Sequence, residues 1–183
     1  MKNAITLLLL AIMSAPAFAQ STSQQAILDL KEGYLVVNLI VPQRKIDALN
    51  DKGKTKEAEA VQAQTKKIND SVIDAFSSTY TFSKMLFVYS TDLQAFNGGD
   101  ASVLFDKAGE APGQVPTKFL YVEYGETPKR GINGFIVKDK NREIIKKDFF
   151  PYFISEYQGT DSFAFMVKKL NKKFGEYYSY AAD

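Results

Sequence analysis

Two stretches with no polar face constrain this chain more than anything else in it. Residues 34–41 read Tyr-Leu-Val-Val-Asn-Leu-Ile-Val, and within residues 81–90 Met85, Phe87 and Tyr89 alternate with Leu86 and Val88. A strand that is apolar on both sides must be covered on both sides, as central strands with helices on each face are. Gly33 and Pro42 bracket the first run. Between the two runs, residues 43–80 turn to Lys, Glu, Ala and Gln, which are good helix formers. The resulting strand, helix, strand order predicts a parallel pair joined by a right-handed crossover.

The crossover reads as two helices. Ile46 and Leu49 form one short stripe, and Ala58, Val61, Thr65, Ile68, Val72 and Phe76 form a second with alternating spacing of three and four. The stripes fall out of phase if one continuous helix is drawn through them, so a helical hairpin is expected, turning near residues 51–54 around Gly53. At 1.5 Å per residue the second helix, of about 24 residues, is about 36 Å long. Its stripe is weak at Ala58 and Thr65, so its first half either projects into water or docks on a partner, including a second copy of the chain.

Beyond the second run, Thr91 can cap a short helical turn over residues 92–96, Asn97-Gly98-Gly99-Asp100 forces a loop, and residues 101–105 make a short strand at most. Gly109, Pro112, Gly113 and Pro116 mark residues 106–116 as a surface loop. Residues 118–124 read as a strand. Residues 134–138 are expected to pair with 142–146 across an Asp139-Lys140-Asn141 turn. Pro151 bars the aromatic segment 149–153 from a central strand position. Phe163, Met166, Val167, Leu170, Phe174 and Tyr177 follow helical spacing after a cap at Thr160 or Asp161. The sum is an α/β or α+β fold, a mixed sheet of about five or six strands flanked by helices, with a helical hairpin between the first two central strands. No long linker or repeat divides residues 20–183, which read as one globular domain.

The order strand, helix, strand, then a later strand, a hairpin and a terminal helix resembles the thioredoxin-like layout. Residues 134–145, Gly-Phe-Ile-Val-Lys-Asp-Lys-Asn-Arg-Glu-Ile-Ile, are similar to the hairpin that follows the cis-proline loop in that group. The redox Cys-x-x-Cys of the group has no counterpart, so no residue of this chain inherits that role.

Residues 1–19 read as a secretory signal peptide, with Lys2 as the basic start, an apolar run over 5–13, and Ala17-Phe18-Ala19 before Gln20. The run is too short to cross a bilayer, which takes about 20 residues. A periplasmic or secreted protein is expected, with residues 20–25 as a disordered polar lead-in. Cysteine is absent, so the fold must stand on packing without disulfides. Histidine is absent too, which excludes Ser-His-Asp and Cys-His nucleophilic devices and zinc sites built on His or Cys. A formal net charge of +2 gives no basis for nucleic-acid binding. Lysine pairs at 66/67, 146/147, 168/169 and 172/173 read as solvated faces, with attraction to an anion or a membrane surface as the alternative.

The chemistry left to such a chain is that of carboxylates and aromatics. Glu123 and Glu126, at the end of a predicted strand beside Tyr121 and Tyr124, are the pair that general acid and base catalysis on a glycan would use. Asp92, Asp100, Asp106 and Glu110 surround the Gly-rich loop without the Asp-x-Asp-x-Asp-Gly spacing of a calcium loop, and they read as turn residues. No phosphate-cradling glycine motif and no Ser-x-x-Lys are present. Asn38 is a lone polar residue in an apolar strand, either bonded to neighbouring backbone or part of a site. With 14 Phe and 10 Tyr, the aromatics are the strongest remaining signal. Tyr combines an apolar body with a polar tip and is enriched in contact surfaces. Tyr124, Tyr152, Tyr177 and Tyr178 are therefore the candidate binding residues, for a protein, peptide or glycan. The expected function is an exported, non-enzymatic binding or assembly module that needs no metal or cofactor; a carboxylate-dependent glycan hydrolase is the alternative.

Overall fold

The first apolar run lies inside the sheet between two parallel neighbours, whereas the second, also expected to be central, forms an edge of the sheet among the described residues. Residues 22–127, 131–146, 149–156 and 162–183 are described by the structure, a computed structural model. Along the chain these form α1 (Thr22–Glu32), β1 (Tyr34–Leu39), α2 (Gln43–Asp51), α3 (Thr55–Thr79), β2 (Lys84–Tyr89), α4 (Leu93–Asn97), a 3₁₀ turn (Ala101–Val103), β3 (Phe119–Glu126), β4 (Asn133–Lys138), β5 (Phe153–Ser155) and α5 (Phe163–Ala182). The five strands make one mixed sheet in the order β2-β1-β3-β4-β5. β1 runs parallel to both β2 and β3, while β4 is antiparallel to β3 and to β5.

Strand alternation divides the core in two. Leu35, Val37 and Leu39 share one cluster with Ile27 and Leu30 of α1, Val72 and Phe76 of α3, and Met166, Leu170 and Phe174 of α5. Val36 joins the other cluster with Leu86, Val88 and Tyr121, under Leu93 and Phe96 of α4 and Leu104. Both faces of β1 are thus sealed, which is why its sequence carries no polar face. The helical hairpin turns at residues 52–54, with Gly53 at φ 69°. Ile46 and Ala58 are buried within the arm, and Val72, Ala75 and Phe76 carry the far end of α3 onto the sheet.

Several expectations need correction. Part of the polar lead-in is helical: α1 begins at Thr22, where a disordered segment was expected, because Ile27 and Leu30 bury one face of it completely. Residues 101–103 wind into a 3₁₀ turn, and the pairing of that segment is the single bridge of Phe105 to Phe87. The expected 134–138/142–146 hairpin keeps its turn, in which Arg142 N donates to Asp139 O at 2.9 Å, but its pairing is the single bridge of Lys138 to Ile144. The chain then leaves the sheet, buries Phe150 against Phe174 and Tyr177 of α5, passes Pro151, and returns to β4 as β5. The terminal helix is capped by Ser162, whose Oγ accepts from Phe165 N at 3.2 Å; Thr160 and Asp161 lie outside the described residues.

β5 ends the sheet and can approach β4 only because residue 134 is glycine. A Cβ there would lie 2.2 Å from Ile154 O and 2.8 Å from the Phe153 ring.

Candidate functional site

The four candidate tyrosines lie in three places. Tyr178 packs against Phe82, with ring centroids 6.0 Å apart. Tyr124 stands edge-on to Phe163 at 4.8 Å and donates its hydroxyl proton to Glu156 Oε2 at 2.7 Å. Burial and that carboxylate push its pKa upward, so it stays a neutral donor. It also lines a mainly apolar cavity of about 220 Å³ with Leu39, Ile68 and Val72. Tyr152 and Tyr177 come together.

They do so in a groove of about 610 Å³ between residues 149–153 and the last turns of α5. Phe149, Phe150, Pro151, Tyr152 and Phe153 line it from the sheet side; Lys173, Glu176, Tyr177 and Tyr180 line it from the helix. Its floor is rigid, since Phe150 is buried, edge-on to Tyr177 at 5.3 Å and in contact with Phe174. Phe149 is fully exposed and sits at φ 59°, a left-handed conformation that a bulky residue seldom adopts. Tyr180 is also exposed, 5.8 Å from the Tyr177 ring. The Tyr177 hydroxyl is buried with no hydrogen-bond partner among the described residues. A polar group in that state costs about 1–3 kcal/mol until something reaches it.

The helix side of this groove was readable as a pattern. Residues 173, 176, 177 and 180 are spaced i, i+3, i+4 and i+7 and so share one helix face, while Tyr178 turns away from it. Sequence reasoning, drawn to the tyrosines, passed over Lys173, Glu176, Tyr180 and the phenylalanines of 149–153. Composition places Phe in the core by default, and nothing local signals that Phe149 is left outside.

The carboxylate pair is not assembled. Glu123 and Glu126 are three residues apart on β3, so they leave opposite faces of the strand. Glu126 is exposed and sits beside Gly131. Glu123 is 14% exposed and fully engaged: Lys138, itself 17% exposed, pairs with Oε1, and Asn38 Nδ2 donates to Oε2 at 2.9 Å, with Arg142 Nη2 3.9 Å from the same oxygen. Asn38 stands directly opposite Glu123 in the β1–β3 register and is 2% exposed; its amide bonds that carboxylate and not neighbouring backbone, and its Oδ1 is buried with no hydrogen-bond partner among the described residues. Arg142 comes from the 139–142 turn, which Asp139 Oδ1 fixes by accepting from Asn141 N at 2.9 Å and Glu143 N at 2.8 Å. Nearby, Tyr121 donates to Asn97 Oδ1 at 2.9 Å, and burial pushes its pKa up to about 12. With both oxygens of Glu123 occupied by cations and an amide, this network ties β1, β3 and β4 together and offers no free proton acceptor to a substrate.

Two of the four loop acids are held within their own turns. Asp100 Oδ1 accepts from Ser102 Oγ at 2.6 Å and Ser102 N at 2.9 Å, and Asp106 Oδ1 accepts from Glu110 N at 3.0 Å and Ala108 N at 2.8 Å, bonds that hold both carboxyls below their ordinary pKa. Among the described residues no cluster of three acidic side chains is placed to hold a metal, and no helix is long and apolar enough to cross a membrane. Of the lysine pairs, Lys66 is matched by Asp70 and Lys172 by Glu176, Lys169 lies over the Phe165 ring, and Lys147 falls outside the described residues. No protein-family model matches this chain, and no curated protein or solved structure matches it either.

Proposed function

We propose that this protein is an exported, non-enzymatic binding module whose aromatic groove takes up an apolar segment of another protein. The observation that carries the reading is the groove between residues 149–153 and α5, where Phe149 and Tyr180 stay in water beside a buried aromatic floor. Exposed rings cost solvation without improving the core, and on a contact surface they supply most of the binding energy. A peptide fits better than a glycan: the polar groups of the groove are Lys173, Glu176 and tyrosine hydroxyls, few for a ligand covered in hydroxyls. Export rests on the leader-like residues 1–19. The absence of histidine and cysteine and the committed state of Glu123 support a role without bond-making.

Selection of random short peptides on the purified protein tests this. Enriched sequences should carry aromatic or large aliphatic residues, and Tyr180→Ala and Phe149→Ala should each weaken them at least tenfold. A selection that enriches nothing, or binding indifferent to both substitutions, overturns the groove as the site. Export is checked separately, by amino-terminal sequencing of the protein from the periplasm or medium, which should begin at Gln20.

A further inference from the structure

We infer that the occupant of the groove is an extended peptide that adds as a sixth strand to the outer edge of β5 and sets a carboxylate against Lys173; this rests on the groove reading above. The first ground is backbone pairing. Val137 N donates to Tyr152 O at 2.7 Å and Glu156 N to Asn133 O at 2.8 Å. With Phe135 opposite Ile154, the inward-facing positions are therefore 152, 154 and 156. Phe153 and Ser155 turn their N–H and C=O groups away from β4, and among the described residues the sheet order places no strand beyond them. An edge of this kind is a template for another chain.

The second ground is that the edge and the groove are continuous. Phe153 belongs to both, so a strand laid along β5 runs directly over Tyr152, Tyr177 and Tyr180. Pro151 lacks an N–H and ends the usable edge on that side. Among the described residues the outward-facing positions left to a partner strand are Phe153 and Ser155. A peptide with alternating side chains would place every second one toward the aromatic floor.

The third ground is charge. Glu176 is paired with Lys172 at 3.7 Å, whereas Lys173, exposed on the rim of the groove, has no ion-pair partner among the described residues. A ligand carboxylate would complement it.

The test uses the whole protein and a blocked synthetic peptide in which threonine alternates with phenylalanine and leucine, with one glutamate near its end. On binding, amide exchange at Phe153 and Ser155 should slow at least tenfold, while Ile154, already bonded to β4, should change little. Methylating the peptide's alternate backbone nitrogens that face β5 should weaken binding at least tenfold, whereas methylating the outward ones should not. Replacing its glutamate by glutamine should weaken binding several-fold in the wild type and have no effect in Lys173→Gln. If the peptide binds, and Tyr180→Ala weakens it, but exchange and methylation leave Phe153 and Ser155 uninvolved, strand addition is wrong and the groove reading stands. If this peptide does not bind at all, strand addition is also wrong, and the random-peptide selection then decides the groove reading independently.

Discussion

The helical arm and the aromatic corner differ in what they leave uncovered. In the arm, Ile46 and Ala58 are buried, Leu49 and Val61 are half-buried, and most of the remaining surface is charged or polar, with pairs such as Lys54–Glu57 and Lys66–Asp70 in water. At the corner, Phe150 and Tyr177 are buried while Phe149 and Tyr180 are left outside on the same structure. The arm covers its largest apolar side chains in good part by itself, whereas the corner leaves two aromatic rings in water. Protrusion alone is therefore a poor sign of an interface, and uncovered aromatic area above a packed floor is a better one. Self-association through the arm, expected from its weak stripe, has less apolar surface to drive it than docking at the corner does.

Phe150→Ala should cost about 3–5 kcal/mol in chemical denaturation, as expected for a phenylalanine removed from a packed interior; a cost near zero would show that the corner has no rigid floor. Ile46→Ala should cost about 2–3 kcal/mol, near the low end for such truncations because the arm can collapse onto the gap. Its amide exchange should quicken in α2 and the first half of α3 more than in β1, with sedimentation unchanged. A shift in oligomeric state would restore the arm as an interface.

Alkali should act on the body of the protein, since the first half of the arm carries no tyrosine. Burial raises the Tyr121 pKa to about 12 in the folded state from an ordinary value near 10. The folded state thus favours the neutral phenol, and its stabilising share is complete below pH about 10 and lost as pH rises toward about 12. Circular dichroism should follow unfolding in that window, with an upward displacement of its onset in Tyr121→Phe. Smaller still, Tyr177→Phe should leave stability unchanged or raise it by up to about 1 kcal/mol, because it deletes a buried hydroxyl with no partner. Phe149→Asn should alter stability least, asparagine tolerating the left-handed backbone, while removing the exposed ring and so reducing peptide affinity.

Elements with an unbroken period were legible in the sequence, and elements that depend on distant cover were not. β1 and β2 announced themselves by having no polar face, and the arm by two stripes out of register. α5 was carried by its spacing from Phe163 to Tyr177. α1 escaped notice because its first residues are polar and its burial comes from α5, far along the chain. The hairpin of 134–146 failed beyond its turn because Phe150 finds a better environment under α5 than beside β4, a competition no local pattern encodes. The candidate groove was half visible: Tyr152 and Tyr177 could be named, but their meeting depends on Phe150 packing against α5, far along the chain. Tyr124 and Tyr178 have the same chemistry and stand elsewhere, so residue type alone could not choose among the four. Glu123 looked reactive by composition and is quieted by Lys138 and Asn38, which reach it from two other strands.

The position of β1 bears on the order of events during synthesis. Tyr34 lies opposite Lys84 on one side and Phe119 on the other, so an interior strand is made early and must wait for both neighbours. Until Phe119 leaves the ribosome, β1 has an open flank, and pairings of such long span form slowly. A nascent chain of this design stays pliable through most of its translation and locks only when the last third arrives.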